Sequence, residues 1–451
     1  MAASLTEPMW YPSVPPGWTM SRVKAAVQRI DSGVWGDDPY DGEGTPVVRS
    51  NEIDEGGNWR DTTPAMRALA ASEREKALLR QGDLLIVKSS GSSLHIGKTA
   101  VVTQEIESLG SCFSNFTGRI RVHPHRTSSR FLWYFLNNSP GRDQLFYYGT
   151  TTTGLINLSA TSIGAGVLVL PSLPEQERIV AYLDASCVAI DAAVAAKRRK
   201  LETLDTLRKT VITRALTLGL KPDVRTRPSG QDWLGEIPQH WSPLCLKRLL
   251  CEPLTYGLNE AAELEDRDLP RYLRITDFDD DGTLRDDTFR SLPLEVARDA
   301  LLQPDDVLFA RSGATVGKTF MFRDYSGEAC FAGYLIRART LPWKLDAQFL
   351  YLFTKTLAYD AWKNLIFTQA TIQNISAAKY NYLTIPVPPL PEQQAIVAHV
   401  REKDGEYRRL AAQLERQIAT LTAYRKSLIH ECVTGQRRVT EADLRRARAR
   451  G

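Results

Sequence analysis

The chain has 451 residues, 43% of them hydrophobic and 24% charged, with a formal net charge of +4. That length holds two or three domains with ample core, and the slight positive charge permits nucleic-acid binding without requiring it. No apolar run approaches the roughly 18–20 residues of a membrane span, and the opening MAASLTEPMW lacks the charged and apolar regions of a secretory signal.

In chain order, the first module opens on WYPSVPPGW (10–18) and continues as a mixed segment of about 160 residues. It is rich in Gly, Thr and aromatics, with short strand-like runs such as DLLIVKSS at 83–90. SGSSLHIGKT (90–99) follows and looks like the end of a phosphate-binding loop. Gly91 and Gly97 have five residues between them, one more than GxxxxGK[ST] has, and TAVVTQ reads as a strand where that loop needs a helix N-terminus. At 170–183 comes LPSLPEQERIVAYL, with Pro174 suited to a first helical turn and Glu175 placing negative charge at the positive dipole end. Apolar residues then recur at Ile179, Leu183, Ile190, Val194, Leu201, Leu204 and Val211 in steps of 3, 4 or 7, a coiled-coil rhythm. Gly219 is placed to end the helix, after a run of about 45 residues, or about 67 Å.

The second module repeats the first. WLGEIPQHW (233–241) matches the opening, SGATVGKT (312–319) matches the G-K-T stretch with three residues between Gly313 and Gly317, and VPPLPEQQAIVAHV (387–400) matches the helix start. Pro391 lies 217 residues after Pro174, and Lys318 lies 220 after Lys98. The second apolar series is Ile396, Val400, Tyr407, Leu410, Leu414, Leu421 and Leu428, with Gly435 as its stop. A period of about 220 residues means two duplicated modules rather than a solenoid. The two stripes are expected to pack on each other rather than each on its own module. A basic tract, KRRK, sits at 197–200, and LRRARAR (444–450) makes the end a basic tail.

Signals for chemistry are sparse. Six cysteines without a CxxC pair suggest free thiols in a reducing cytosol. His123 and His125 flank Pro124 but lack a cysteine pair at zinc-ligand spacing, so no metal is expected. The chain has no GxSxG, no HExxH, no E-x-K tripeptide and no glycine-rich cofactor loop. DFDDDG (277–282) lacks the ligand alternation and terminal Glu of an EF-hand.

LPEQ opening two long helices, TLRKTVITRALTLG and AYRKSLIHECVTG closing them, VPPGW and EIPQHW opening the modules, and GDLLIVKSSG beside DDVLFARSGATVGK occur in order, twice, at matched offsets. TTTGLINLSA stands likewise beside QATIQNISAA. The combination closely resembles the specificity subunit of type I restriction–modification enzymes, over essentially residues 10–438. The resemblance implies an α+β fold of two mixed α/β target recognition domains, separated and braced by two long helices in an antiparallel coiled coil, with internal pseudo-two-fold duplication. It implies a first recognition domain at 1–170, a central spacer helix at 171–220, a second domain at 221–387, a C-terminal helix at 388–438 and the basic tail at 439–451. It further implies a non-catalytic bacterial cytoplasmic chain that binds double-stranded DNA. The chain would assemble with two methyltransferase subunits and with restriction/translocase subunits, which would themselves use S-adenosylmethionine, ATP and magnesium.

Base reading needs Arg, Lys, Asn, Gln or Thr at groove edges, and phosphate gripping needs cations and hydroxyls. The DNA-contact candidates are Lys88, Lys98, Arg119, Arg121, Arg126, Tyr148 and Thr151 in the first module. In the second they are Arg274, Arg311, Lys318, Arg323, Thr368, Gln369 and Thr371. Lys88 and Arg311 hold nearly matching places before the glycine turn. The module middles differ, so the two half-sites are expected to differ.

Overall fold

The structure is a computed structural model that describes residues 10–11, 13–40, 43–60, 63–152, 154–279, 282–313, 315–368 and 374–449. Eight strands carry the two main sheets: β1 (Val27–Ser32), β2 (Leu84–Val87), β3 (Thr99–Val101), β4 (Thr117–Val122), β5 (Thr255–Tyr256), β6 (Val307–Ala310), β7 (Thr319–Met321) and β8 (Leu335–Ala338). Six helices pack around these sheets or brace them: α1 (Ser129–Asn137), α2 (Leu173–Leu218), α3 (Ala347–Phe353), α4 (Leu357–Thr368), α5 (Leu390–Thr434) and α6 (Glu441–Arg448).

The chain divides into two compact units that do not follow chain order. Residues 1–197 with 416–451 form the first, and 198–415 form the second. The first unit has a four-stranded antiparallel sheet in the order β1-β4-β2-β3. The second has β5-β8-β6-β7, the same topology from matched segments. The apolar runs LLIV of β2 and VLFA of β6 are strands buried along their whole length. Each G-K-T then turns the chain into the next strand. Gly97 and Gly317 take φ of +73° and +78°, and their N–H groups donate to Val87 and Ala310 at 2.7 and 2.8 Å. These are strand-joining turns, as the sequence suggests.

Each core draws on both long helices. In the first unit the start of α2 (Ile179, Leu183, Ile190) packs with the end of α5 (Leu428, Ile429, Val433), Trp18 and α1. In the second the start of α5 (Ile396, Val397, Val400) packs with the end of α2 (Ile212, Ala215, Leu216), Trp241 and α3. The helices run antiparallel within each unit. Lys197 donates to Gln417 at 2.6 Å and Arg425 meets Asp191 at 3.0 Å in the first, while Arg208 meets Asp404 at 2.5 Å in the second. Both helices end one residue before Gly219 and Gly435, whose φ of +76° and +74° give the left-handed stop.

The LPEQ glutamines explain the motif physically. Gln176 is fully buried; it donates to Arg126 and Pro171 carbonyls and accepts from Thr127 and Ser128. Gln393, also fully buried, donates to Lys344 and Pro388 and accepts from Asp346. Each side chain fastens a long helix to the turn that starts α1 or α3.

Three expectations need correcting. Ile179, Leu183, Ile190, Leu428, Ile396 and Val400 are buried, and Val194, Leu201, Leu204, Val211, Tyr407, Leu414 and Leu421 are half-buried, but Leu410 is 50% exposed. A 3.6-residue helix drifts about 20° per heptad against a 3.5-residue stripe. Leu410 therefore turns outward, and Ile212, Ala215 and Leu216 take the inward role beside Val211. Second, α2 is long and apolar enough by composition to cross a membrane, against the expectation of no such segment, and its apolar side chains supply core to both units. Third, the basic tail forms α6, capped by Thr440, with Leu444 and Ala447 buried in the first core.

Candidate nucleic-acid interface

Several candidate DNA contacts prove to be interior framework, and the duplication shows it. Arg119, 2% exposed, binds Asp31 at 2.7 Å and the Leu78 carbonyl at 2.7 Å. Its match Arg337 binds Glu252 at 3.0 Å and the Leu301 carbonyl at 2.8 Å. Arg121 pairs through two nitrogens with Asp83, both at 2.7 Å, as Arg339 pairs with Asp306 at 2.8 and 2.7 Å. Hydrogen bonding to those carboxylates holds both guanidinium groups above their usual range. Arg274 closes a turn by gripping Asp277 at 2.9 Å, as Arg49 grips Glu52 at 2.8 Å. Lys98 is 3% exposed and donates to the Ile53 carbonyl at 2.5 Å; burial, then the nearby Arg60 charge, pushes its ammonium down. Arg119 and Lys98 are thus buried on interior partners, while Arg121 and Arg274 are half-buried with their guanidinium groups paired to Asp83 and Asp277.

The others lie nearer the surface. Lys88 is half-buried, donates to Ser32 at 2.7 Å, and is pushed down by burial. Arg311 sits over Tyr256, 4.8 Å from the ring centroid. Lys318, Arg323 and Thr151 are exposed, with Arg323 beside Asp324 at 3.6 Å. Arg126 is exposed and donates to the Ala25 carbonyl at 3.0 Å. Tyr148 is half-buried and packs edge-on against Tyr147 at 5.2 Å. Thr368 ends α4, and Gln369 and Thr371 lie outside the described residues. The rings of His123 and His125 are 5.9 Å apart.

The geometry brings Lys88 and Thr151 to one small sheet. Ser89–Ser90, just after Lys88, pairs with Leu155–Asn157, which pairs with Thr150–Thr152. In the second unit Ser312, just after Arg311, bridges to Asn374 in the matching place. Sequence reasoning missed two residues here. Lys88 N–H donates to the carbonyl of Phe116, 51% exposed, and Arg311 N–H to that of Tyr334, 65% exposed, both at 3.0 Å. Each unit thus pairs the backbone of a cationic residue with that of an exposed aromatic residue, two residue types suited to a phosphate and a neighbouring base or sugar. The signal was available, since Phe116 and Tyr334 stand 218 residues apart, each just before one of two matched strands.

Residues 278–417 match the type I restriction modification DNA specificity domain. The type I restriction enzyme EcoKI specificity subunit of Escherichia coli K12 is 24% identical over 402 residues, spanning 87% of this chain and 82% of that one. The EcoBI specificity subunit of Escherichia coli is 20% identical over 327 residues, 70% of this chain and 68% of that one. The fold is shared with a solved chain from work on complex assembly and conformational transition of the type I R-M system. It has a TM-score of 0.73 at 19% identity, covering 93% of this chain and 98% of that one. It is also shared with the HsdS subunit from Thermoanaerobacter tengcongensis, with a TM-score of 0.54 at 19% identity, over 95% and 100%. Duplicated units, paired helices and these likenesses agree: residues 278–417 match the type I restriction modification DNA specificity domain, and the chain as a whole is similar to type I restriction enzyme specificity subunits.

Proposed function

We propose that the chain reads an asymmetric, two-part DNA sequence, one unit per half-site with a fixed unread gap, and scaffolds two methyltransferase subunits and the restriction/translocase subunits. It binds and positions; adenine methylation, ATP-driven translocation and cleavage belong to the partners, with their S-adenosylmethionine, ATP and magnesium. The observation that carries this reading is a duplicated interior beneath unlike surfaces. Arg119 and Arg337 make matched contacts, as do Asp83 and Asp306, and Gln176 and Gln393. The segments between them differ, and two readers on one frame suit two different half-sites.

The deciding experiment is single-molecule methylome sequencing of a host carrying the chain with its methyltransferase subunit, against a host lacking only this chain. The expected result is one new motif of two unlike halves with a constant gap and a modified adenine in each. No new motif, despite co-purification of chain and methyltransferase, overturns the reading. The spacing has its own test, because adding one heptad to both α2 and α5 should lengthen the gap. An unchanged gap would remove the helices from that role.

A further inference from the structure

In the second unit a cavity of about 280 Å³ opens beside the G-K-T turn. Six cationic side chains line it, Arg208, Lys209, Lys318, Lys355, Lys363 and Arg408, against the carboxylates of Asp360 and Asp404. Lys209 pairs with Asp205 at 3.1 Å, Lys363 with Asp360 at 2.7 Å, and Arg208 and Arg408 share Asp404 at 2.5 and 2.8 Å. The Lys355 ammonium donates to the Thr319 carbonyl at 2.9 Å and lies 4.5 Å from the centre of the Tyr351 ring. Its loss of water pushes it down to about 8, and the charges of Lys363, Lys318 and Arg208 act in the same direction.

The first unit shows that the turn itself does not need these charges. There Asn137 stands where Lys355 does; it donates to the Thr99 carbonyl at 2.8 Å and accepts from the Thr99 N–H at 2.9 Å. Leu145 packs against Gly97 as Lys363 packs against Gly317. Lys98 points inward to Ile53, whereas Lys318 is exposed. Asp191 occupies the position matching Arg408, 217 residues earlier. At three matched positions an amide, an alkyl group and a carboxylate give way to cations around one cavity, and at a fourth a lysine that points inward in the first unit lines the cavity in the second. The first unit forms the same turn without these charges, so the turn itself does not call for them.

We propose that this cavity binds a phosphoryl oxyanion, held by Lys318, Lys355 and Lys363. The site stands apart from the DNA reading, except that a DNA phosphodiester is one source of such an anion and a small phosphorylated compound is the other. The test uses the full chain, with inorganic phosphate and pyrophosphate as probes. At pH 7 and constant ionic strength, phosphate should raise the thermal unfolding midpoint saturably over chloride. Lys355→Asn, which installs the first unit's own residue and keeps a donor for Thr319, should weaken that binding at least tenfold. Lys363→Leu installs the second matched residue and should weaken it as well, so the test survives if either variant folds poorly. A wild-type chain with no phosphate-specific effect, or folded variants that bind phosphate as well as wild type, overturns the site. Displacement of phosphate by non-target duplex, with a smaller salt slope of duplex binding in Lys355→Asn, assigns the anion to the DNA backbone. Phosphate retained alongside bound duplex assigns it to a small compound; both patterns uphold the cavity as an anion site. A normal methylome motif with no phosphate effect would reject this site while leaving the proposed function intact.

Discussion

The first unit ties its G-K-T turn with an amide, Asn137, and the second ties the same turn with an ammonium, Lys355. Elsewhere the two interiors share matched contacts, from the Asp83 and Asp306 ion pairs to the buried glutamines at the helix starts. The comparison sorts residues by kind. A contact made twice, from the same backbone position to the same backbone position, belongs to the shared frame. A residue without its counterpart belongs to one unit alone. Arginines, which attract functional readings on chemistry alone, fall on both sides of that line.

The largest effects are expected where the frame is cut. Gln393→Leu would leave Asp346 N–H and the Lys344 and Pro388 carbonyls without their buried partner. Each such orphan costs about 1–3 kcal/mol, so a loss of about 3–5 kcal/mol is expected in urea unfolding of the second unit. Gln176→Leu should cost the first unit a similar amount; a difference above about 2 kcal/mol would show that the matched contacts do unequal work. Replacing buried Arg119 or Arg337 by Leu takes the donor from the Leu78 or Leu301 carbonyl, while Asp31 keeps Arg29 and Glu252 keeps Arg339, so a smaller loss of about 1–3 kcal/mol is expected.

A smaller effect separates the two helix stops. An added Cβ at Gly219 would sit 3.2 Å from the Trp241 ring, whereas at Gly435 it would sit 2.4 Å from the Pro15 ring. Both substitutions to Ala carry the left-handed penalty of about 1 kcal/mol, and Gly435→Ala adds a clash with a stiff ring. Thermal denaturation should therefore find Gly435→Ala the more destabilising, at about 2 kcal/mol or more. Equal losses would mean that the N-terminal opening yields to make room.

Much of this frame was legible in the sequence because it is written twice. The period of about 220 residues exposed the modules, the LPEQ starts and glycine stops exposed the helices, and LLIV and VLFA exposed the central strands. What stayed hidden depends on which way a side chain turns. Lys98 and Lys318 occupy the same motif, yet one points into the core and the other outward. Arg119 lies in a strand whose alternation leaves Thr117 to Ile120 all buried, so period-2 patterning gives no hint that its partners lie inside. Leu410 shows the limit of a heptad count on a helix that does not hold 3.5 residues per turn. Phe116 and Tyr334 escape a motif search because they differ in identity and match only in position across the repeat.

Protonation gives a subtler way to sharpen the comparison. Lys355 titrates near 8 in the folded chain against an ordinary value of 10.5. Between those values the unfolded chain binds more protons than the folded one, so stability contributed through this group rises with pH across that window. Lys363, Lys318 and Arg208 oppose the charge, and Asp360 favours it. Lys355→Asn should flatten the rise in the second unit's unfolding curve between pH 8 and pH 10.5. A wild-type curve with no rise there would place Lys355 in a wetter setting than its contacts describe.

The smallest expected change in stability is the one that best separates frame from surface. Lys98→Ala removes a buried donor, leaves the Ile53 carbonyl unpaired, and should cost about 2 kcal/mol in the first unit. Lys318→Ala, at the same place in the second motif, alters an exposed side chain and should stay within about 0.5 kcal/mol of wild type. If Lys318 meets a phosphate, the second variant should nevertheless bind duplex DNA with a salt slope smaller by about one, uniformly across sequences. Lys98→Ala should keep the full slope in its folded fraction, since a lysine committed to Ile53 has no phosphate to release. The reverse pattern, a reduced slope for Lys98→Ala and an unchanged one for Lys318→Ala, would mean that the turn meets the duplex through its inner lysine and would undo the assignment of Lys98 to the interior.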